Sequence, residues 1–328
     1  MNILFVADPL ESFKIYKDTT FVMMREAQRR GHTISACEPQ DLQWQTGGVV
    51  TAQVRDIHLT GKSGESHAAG DKTAWFSVAQ PLFAGSPRAL KDFGAVIMRK
   101  DPPFDSEFFY ATHLLEQAER EGARVFNKPR ALRDHPEKLA IMEFPQFSGP
   151  TLVTRSAEAI RAFHATHRDI ILKPLDGMGG MGIFRVKDDG LNLGGIIETL
   201  NKDGAQSVMV QKFLPEIALG DKRVLVIGGK PVPFCLARIP QGGEVRGNLA
   251  VGGKGVAQPL SARDREIGET LGPILAARGL LLVGVDVIGD CVTEINVTSP
   301  TCFQEIFDQT GCDVAALFID ALEAALKA

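Results

Sequence analysis

The chain has no excess of basic charge: 36 Lys+Arg stand against 40 Asp+Glu, for a formal net charge of −4. Tracking a phosphate backbone takes a cationic surface, so nucleic acid is not an expected partner. Long apolar runs are missing too, and none approaches the roughly 18 residues that a membrane-spanning helix needs. A membrane is not an expected partner either. Cysteine is scarce and odd in number (Cys37, Cys235, Cys291, Cys302 and Cys312), with no C-x-x-C pair. That argues against a zinc site or a disulfide framework and suits a reduced, cytoplasmic setting. The first residues, Met-Asn-Ile-Leu-Phe-Val-Ala-Asp, lack the basic start of a signal peptide and read as a first strand.

What is present is ordinary globular material, 44% hydrophobic and 23% charged over 328 residues. At about 150 residues per domain this length gives two or three domains. The first third alternates strand and helix, with strands expected at Ile3–Ala7, Thr33–Cys37, Ala95–Met98 and Ala123–Phe126. Thr19 or Thr20 is the expected cap of a helix that stops at Gly31, and Leu114–Glu121 reads as a second helix. Strands spaced by helices imply a wound, parallel sheet. The polar, Gly-rich stretch 47–77 reads as a hairpin excursion or surface loop. The middle third is expected to hold strands at Asp169–Pro174, Ile183–Val186 and Ser207–Gln211, with helices at Ala157–Thr166 and near Gly195–Leu200. The last third reads as strands Arg223–Ile227, Val232–Ala237, Leu281–Ile288 and Val292–Val297, with helices Ala262–Arg278 and Asp313–Lys327. Boundaries near 130 and 214 divide the chain into units 1–130, 131–214 and 215–328.

Three features could carry chemistry. The first, Gly177-Met178-Gly179-Gly180-Met181-Gly182, matches G-x-G-x-x-G. A dinucleotide fingerprint needs a helix after the glycines, whereas Ile183-Phe-Arg-Val reads as a strand. No G-K-[ST] follows, which excludes a Walker loop. Asp92-Phe93-Gly94 spells D-F-G, but it precedes the glycines and no H-R-D element exists, so the protein-kinase reading fails. A plain flexible hairpin is the bland alternative. Four glycines in six residues, with Lys173 on the preceding strand, favour a phosphate cradle. Glycine lets backbone N–H groups approach phosphate oxygens, and the lysine adds charge.

The second feature runs from Asp286 to Asn296, two apolar strands meeting at the turn signal Gly289-Asp290. Glu294 and Asn296 are two apart and share a face. Asp286 joins them only if the connection is odd in length, as a three-residue turn with a bulge would make it. Oxygen ligands of this kind suit Mg²⁺ held together with phosphates. The bland alternative is an edge hairpin with a solvated face. The third feature is the Gly-rich stretch Pro240–Gly255, long for a connection and suited to a lid. Arg238 at its base and Arg223 on the neighbouring strand are candidate anion clamps.

Taken in order, longer stretches carry a resemblance. They are Met98-Arg-Lys-Asp-Pro-Pro-Phe-Asp105, Asn127-Lys-Pro with Leu132-Arg-Asp134, and Ile171-Leu-Lys-Pro-Leu-Asp-Gly-Met-Gly-Gly180. Asp221-Lys-Arg-Val-Leu-Val, Ala237-Arg-Ile-Pro-Gln-Gly-Gly-Glu244 and Thr293-Glu-Ile-Asn-Val-Thr-Ser-Pro-Thr301 continue it. The chain resembles the ATP-grasp carboxylate–amine ligases, within them the bacterial glutathione synthetase family, over nearly its whole length. Met181 stands where a smaller residue is expected. The resemblance implies an α/β ATP-grasp fold, with an N-terminal wound domain and two α+β units that clasp ATP. It implies ligation of γ-glutamylcysteine to glycine through an acyl phosphate, as the last step of glutathione biosynthesis. By position, Lys138 and Lys173 would hold ATP phosphates under the loop Gly177–Gly182. Gln211, Lys212, Phe213 and Leu214 would form the hinge that meets adenine, and Asp221 would meet the ribose. Asp286, Glu294 and Asn296 would hold two Mg²⁺ ions, with Mn²⁺ as the alternative. Arg223 and Arg238 would act in catalysis, and Arg99, Arg238 and Ser299 would meet the substrate. A homodimer or homotetramer is implied. A D-alanine or glutamate-adding ligase, or a synapsin-like ATP-binding regulator, would share the ATP residues. The presence of Arg238 with the metal trio favours an active enzyme.

Overall fold

The computed structural model describes residues 1–60, 75–78 and 86–327. Its N-terminal sheet has six strands in the order Phe76–Val78, Arg55–Leu59, Thr33–Cys37, Asn2–Val6, Ala95–Met98 and Val125–Phe126. The four strands from Thr33–Cys37 to Val125–Phe126 pair in parallel, as a wound sheet requires. The outer two are antiparallel, an edge hairpin where an excursion was expected. Residues 61–74, part of that expectation, lie outside the described residues. Asn2–Val6 is flanked on its two sides by strands that follow and precede opposite crossovers. The crevice beyond the carboxyl ends of such strands is where open α/β sheets bind ligands, and Arg99 and Asp101 sit there, just past Met98.

Local chemistry moved several boundaries. The first helix, Thr19–Arg29, is capped by Asp18 and not by Thr19 or Thr20: its carboxylate accepts from Phe21 N–H at 2.7 Å. The second begins at Ser106, not Leu114, because Asp105 caps it and accepts from Phe108 N–H. Pro129–Asp134 and Phe303–Thr310 are further short helices that the sequence pattern did not reveal.

The middle sheet is antiparallel, Thr151–Thr154, Val208–Lys212, Ile170–Pro174 and Phe184–Val186 in spatial order. Helices Ala157–His167 and Leu193–Asn201 cover it through Ile160, Leu193 and Ile197. The C-terminal sheet has five antiparallel strands in the order Lys254–Pro259, Lys230–Ile239, Asp221–Ile227, Leu282–Ile288 and Cys291–Asn296. Its central strand alternates between two cores. Val224 and Val226 pack with Ile267 and Leu271 of helix Ala262–Ala277, while Leu225 and Ile227 pack with Phe303 and Phe318. A strand buried on both faces reads as a continuous apolar run, which Val224–Ile227 does. The same second core takes in Ile3, Phe5 and Met23, so the last helices tie the N-terminal sheet to the C-terminal one.

Candidate active site

The middle and C-terminal sheets face each other across a cleft of about 310 Å³. At its floor, register assembles a charged quartet. Asp221 lies opposite Arg238, and Arg223 opposite Asp286, on three adjacent strands. Arg238 Nη2 donates to Asp221 Oδ2 at 2.5 Å and lies 2.8 Å from Asp286 Oδ2. Arg223 Nε donates to Asp286 Oδ1 at 2.6 Å. All four side chains are buried or nearly so. Burial alone would raise the Asp286 carboxyl, but Arg223 and Arg238 hold it well below the usual range. Burial prevails at Asp221, pushed up to about 6 against the pull of Arg238. Both arginines make these contacts through Nε and Nη2, so each keeps Nη1 as a donor.

The hairpin beside the quartet turns through Gly289 and Asp290, with Ile288 directly opposite Cys291. The connection is therefore two residues long, not three. The odd residue is supplied further on: the register slips at Thr293, so that Val287 faces Val292 while Asp286 faces Glu294. This bulge brings Asp286 onto the face of Glu294 and Asn296, and it frees the Thr293 carbonyl, which accepts from Lys173 Nζ at 3.3 Å. Lys138 Nζ donates to Glu294 Oε1 at 3.2 Å and to the Gly177 carbonyl at 2.6 Å. Burial lowers the Lys173 ammonium from its ordinary value, with Glu294 opposing. Asn296 Nδ2 donates to the Gly284 carbonyl at 3.1 Å, which leaves its Oδ1 as an acceptor.

The glycines form a strand–loop–strand hairpin, as expected, between Ile170–Pro174 and Phe184–Val186. Gly179, Gly180 and Gly182 all take φ between 60° and 85°, a region closed to most side chains. The long loop joins Lys230–Ile239 to Lys254–Pro259, two paired strands of the C-terminal sheet, and leans onto the glycine hairpin. Arg246 Nη1 donates to the Gly180 carbonyl at 3.0 Å. A Cβ at Gly180 would come within 2.8 Å of Asn248 Oδ1.

The cleft brings together Lys138, Lys173, Gly177 to Met181, Gln211 to Leu214, Asp221, Arg223, Arg238, Asp286, Glu294, Asn296 and Ser299. Gly182 and Arg99 are not among the lining residues. A Cβ at Gly182 would come within 3.1 Å of the Pro174 ring. Arg99 is buried between the N-terminal sheet and Pro300: Nε donates to Thr20 Oγ1, Nη2 donates to the Pro300 carbonyl, and Nη1 has no hydrogen-bond partner. Burial lowers it to about 10. Sequence reasoning missed Glu137, Asp101 and the apolar walls Ile171, Ile183, Ile288 and Val292. Asp101 accepts from Ser299 Oγ across the domain junction. Only adjacency to Lys138 could have pointed to Glu137, because no periodic element contains it.

The N-terminal model of prokaryotic glutathione synthetase matches residues 1–133, and its ATP-grasp model matches residues 137–311. The glutathione synthetase of Ralstonia nicotianae is 58% identical over 327 residues, 99% of this chain and 96% of that protein. That of Nitrosomonas europaea is 55% identical, covering 98% of each. Among solved structures, D-cycloserine synthetase DcsG superposes with a TM-score of 0.67 at 16% identity over 99% of both chains. A RimK-domain ATP-grasp protein from Sphaerobacter thermophilus reaches 0.61 at 18% identity over 98% of each. These distant neighbours show the fold and the near relatives show the chemistry: the chain belongs to the prokaryotic glutathione synthetase family of ATP-grasp, ATP-dependent ligases.

Proposed function

We propose that the cleft divides the ligation of γ-glutamylcysteine to glycine among its residues in the following way. An unactivated carboxylate resists attack by an amine. Transfer of the ATP γ-phosphoryl to the dipeptide carboxylate releases ADP and gives an acyl phosphate. The glycine amine then displaces phosphate and the amide forms. The protein's part in such a transfer is position and charge. Lys138 and Lys173 meet the phosphates under the glycine hairpin. Gln211 to Leu214, with Ile171, Ile183, Ile288 and Val292 as apolar walls, take the adenine, and Asp221 faces the ribose. Arg238 and Arg223 aim Nη1 at the charge that grows on the transferring phosphoryl and acyl oxygens. Ser299 serves the dipeptide from the N-terminal side, and Arg99, buried behind the cleft, braces that wall through the Pro300 carbonyl.

The donor set suits a hard cation. Glu294 Oε2 and Asn296 Oδ1 are left free by the contacts above, and Asp286 Oδ1, which meets only Arg223 Nε, keeps a lone pair, whereas Oδ2 faces both arginines. Asp286, Glu294 and Asn296 would hold Mg²⁺, or Mn²⁺ in its place, and the ion would screen phosphate charge. In this reading 1–130 serves the dipeptide, 131–214 covers the phosphates, and 215–328 carries the cation and the loop 240–255.

The observation that carries the proposal is the convergence of Arg223 and Arg238 on the same cleft as the glycine hairpin and the Glu294 face. The test is ADP release with γ-glutamylcysteine, run with and without glycine. Sustained turnover that needs both, with stoichiometric tripeptide, is expected. Turnover with two D-alanines and none with this pair would assign another ligase specificity. ATP binding with no turnover on either would assign a regulator.

A further inference from the structure

Cys291–Asn296 is the edge strand of the C-terminal sheet, so its outward N–H and C=O groups have no neighbouring strand to satisfy them. A segment that belongs to neither sheet takes that place. Ile295 N–H donates to the Glu137 carbonyl at 2.9 Å. The Glu137 side chain then covers the next two residues. Its Oε1 accepts from Val297 N–H at 3.0 Å, Thr298 N–H at 3.1 Å and Thr298 Oγ1 at 2.8 Å. From the other side, Asn127 Nδ2 donates to the Val297 carbonyl at 2.8 Å. Val297, the residue after Asn296, is thus held through both its backbone groups. The neighbouring side chain, Lys138, spans Glu294 and Gly177.

We propose that Glu137 is a positioning residue that fixes Val297 and Thr298, and through them Asn296 and Glu294, at a set spacing from Lys138. This rests on the reading of Glu294 and Asn296 as cation ligands. A buried carboxylate near a second one is costly to keep, and packing alone would be served as well by an apolar side chain. What an apolar side chain cannot do is present one acceptor oxygen on which three donors converge. Those donors belong to the residues that end the Glu294–Asn296 strand. The spacing between a phosphate-binding ammonium and a cation-binding carboxylate decides whether both can reach one nucleotide, and outer partners of metal ligands commonly set it.

The test measures Mn²⁺ binding by electron paramagnetic resonance to the whole protein with a non-hydrolysable ATP analogue, beside melting temperature. Glu137→Ala is expected to weaken Mn²⁺ by about 10–100-fold, the range found for lost outer partners. Glu137→Gln keeps one oxygen in place and is expected to recover most of that loss. Thr298→Val removes a single donor and should shift affinity less in the same direction, which keeps the test available if Glu137→Ala does not fold. Parental Mn²⁺ affinity in Glu137→Ala, or in Thr298→Val should the former not fold, overturns the proposal. So does Glu137→Gln as weak as Glu137→Ala, which would make the carboxylate itself a ligand. Glu294→Gln is the control. If it binds Mn²⁺ like the parent, the cation reading fails; if it alone is weakened, only the positioning role fails.

Discussion

Two arginines eight positions apart meet carboxylates in the same cleft under opposite conditions. Arg238 is on a strand, 5% exposed, and touches both Asp221 and Asp286, which are themselves nearly dry. Arg246 is on the long loop, 26% exposed, and pairs with Glu244 two residues away. The first pair is held by sheet register and is complete before any substrate arrives. The second is local to a loop whose hold on the rest of the cleft includes a hydrogen bond to Gly180. In the proposed reading, charge that must be preorganised sits where strands fix it, and charge on the closing loop sits where few contacts hold it.

The sharpest break comes from Arg238→Ala. Loss of one preorganised donor costs roughly 10²–10³ in turnover. Asp221 and Asp286 are then left short of countercharge, and removing one partner of a buried pair destabilises by about 3–5 kcal/mol. Steady-state ligation and denaturant unfolding report the two losses separately. A variant with parental stability would mean that the quartet is not held by its charges.

Next in size is the loop. An acyl phosphate is open to water as well as to glycine, so a closed site protects it. Replacing residues 240–253 by a three-glycine linker, with Arg238 kept, is expected to reduce ligation steeply. ATP hydrolysis without tripeptide should rise as a share of turnover. Equal loss of both activities would show that the loop is no water shield.

This contrast also sorts what the sequence made legible. The glycine hairpin was readable because glycines and flanking apolar runs are local signals. Glu294 and Asn296 were readable because a strand repeats every two residues. Asp286 was readable only conditionally: its place depends on a register slip at Thr293, which pairing with Leu282–Ile288 decides. The Asp221–Arg238 contact depends on register between separate strands, and nothing in either segment announces it. Asp18 lost to Thr19 and Thr20 on paper because all three residue types cap helices. The extended backbone at Asp18, φ −73° and ψ 122°, settles which one does. Phe109 and Tyr110, exposed on helix Ser106–Arg120, blurred the amphipathic pattern that would have placed its start.

Asp18 extends the comparison to a half-buried carboxylate with no salt-bridge partner among the described residues. Burial pushes it up to about 6 from 3.8, with Phe21 N–H and Arg99 opposing. Between these values the folded protein holds a proton that the unfolded chain has released. Stability from this group is therefore present below about pH 4 and lost as pH rises through about 6. Asp18→Asn keeps an oxygen for Phe21 N–H and removes the titration. Relative to this variant, the parent should lose about 2 kcal/mol between roughly pH 4 and pH 7. Unfolding of both proteins across that range checks it, and parallel curves would shift the effect to another group.

The smallest expected effect is the most direct test of the contrast. The Glu244 carboxyl is drawn down to about 2, chiefly by the Arg246 hydrogen bond, yet Arg246 and Glu244 are 26% and 31% exposed. An exposed pair of this kind contributes less than about 1 kcal/mol to stability, and salt screens it further. Arg246→Gln is accordingly expected to leave the melting temperature nearly unchanged. What it removes is the donor to the Gly180 carbonyl, and with it a tie between the loop and the glycine hairpin. A partly solvated, charge-assisted hydrogen bond is worth about 1 kcal/mol, or roughly fivefold in an equilibrium. With the hairpin over the nucleotide as proposed, that should appear as a few-fold rise in KM for ATP, since the tie itself touches no reacting atom. If Arg246→Gln instead lowered the melting temperature as far as Arg238→Ala, the loop pair would be part of the folded framework, and the division between fixed and movable charge would not hold.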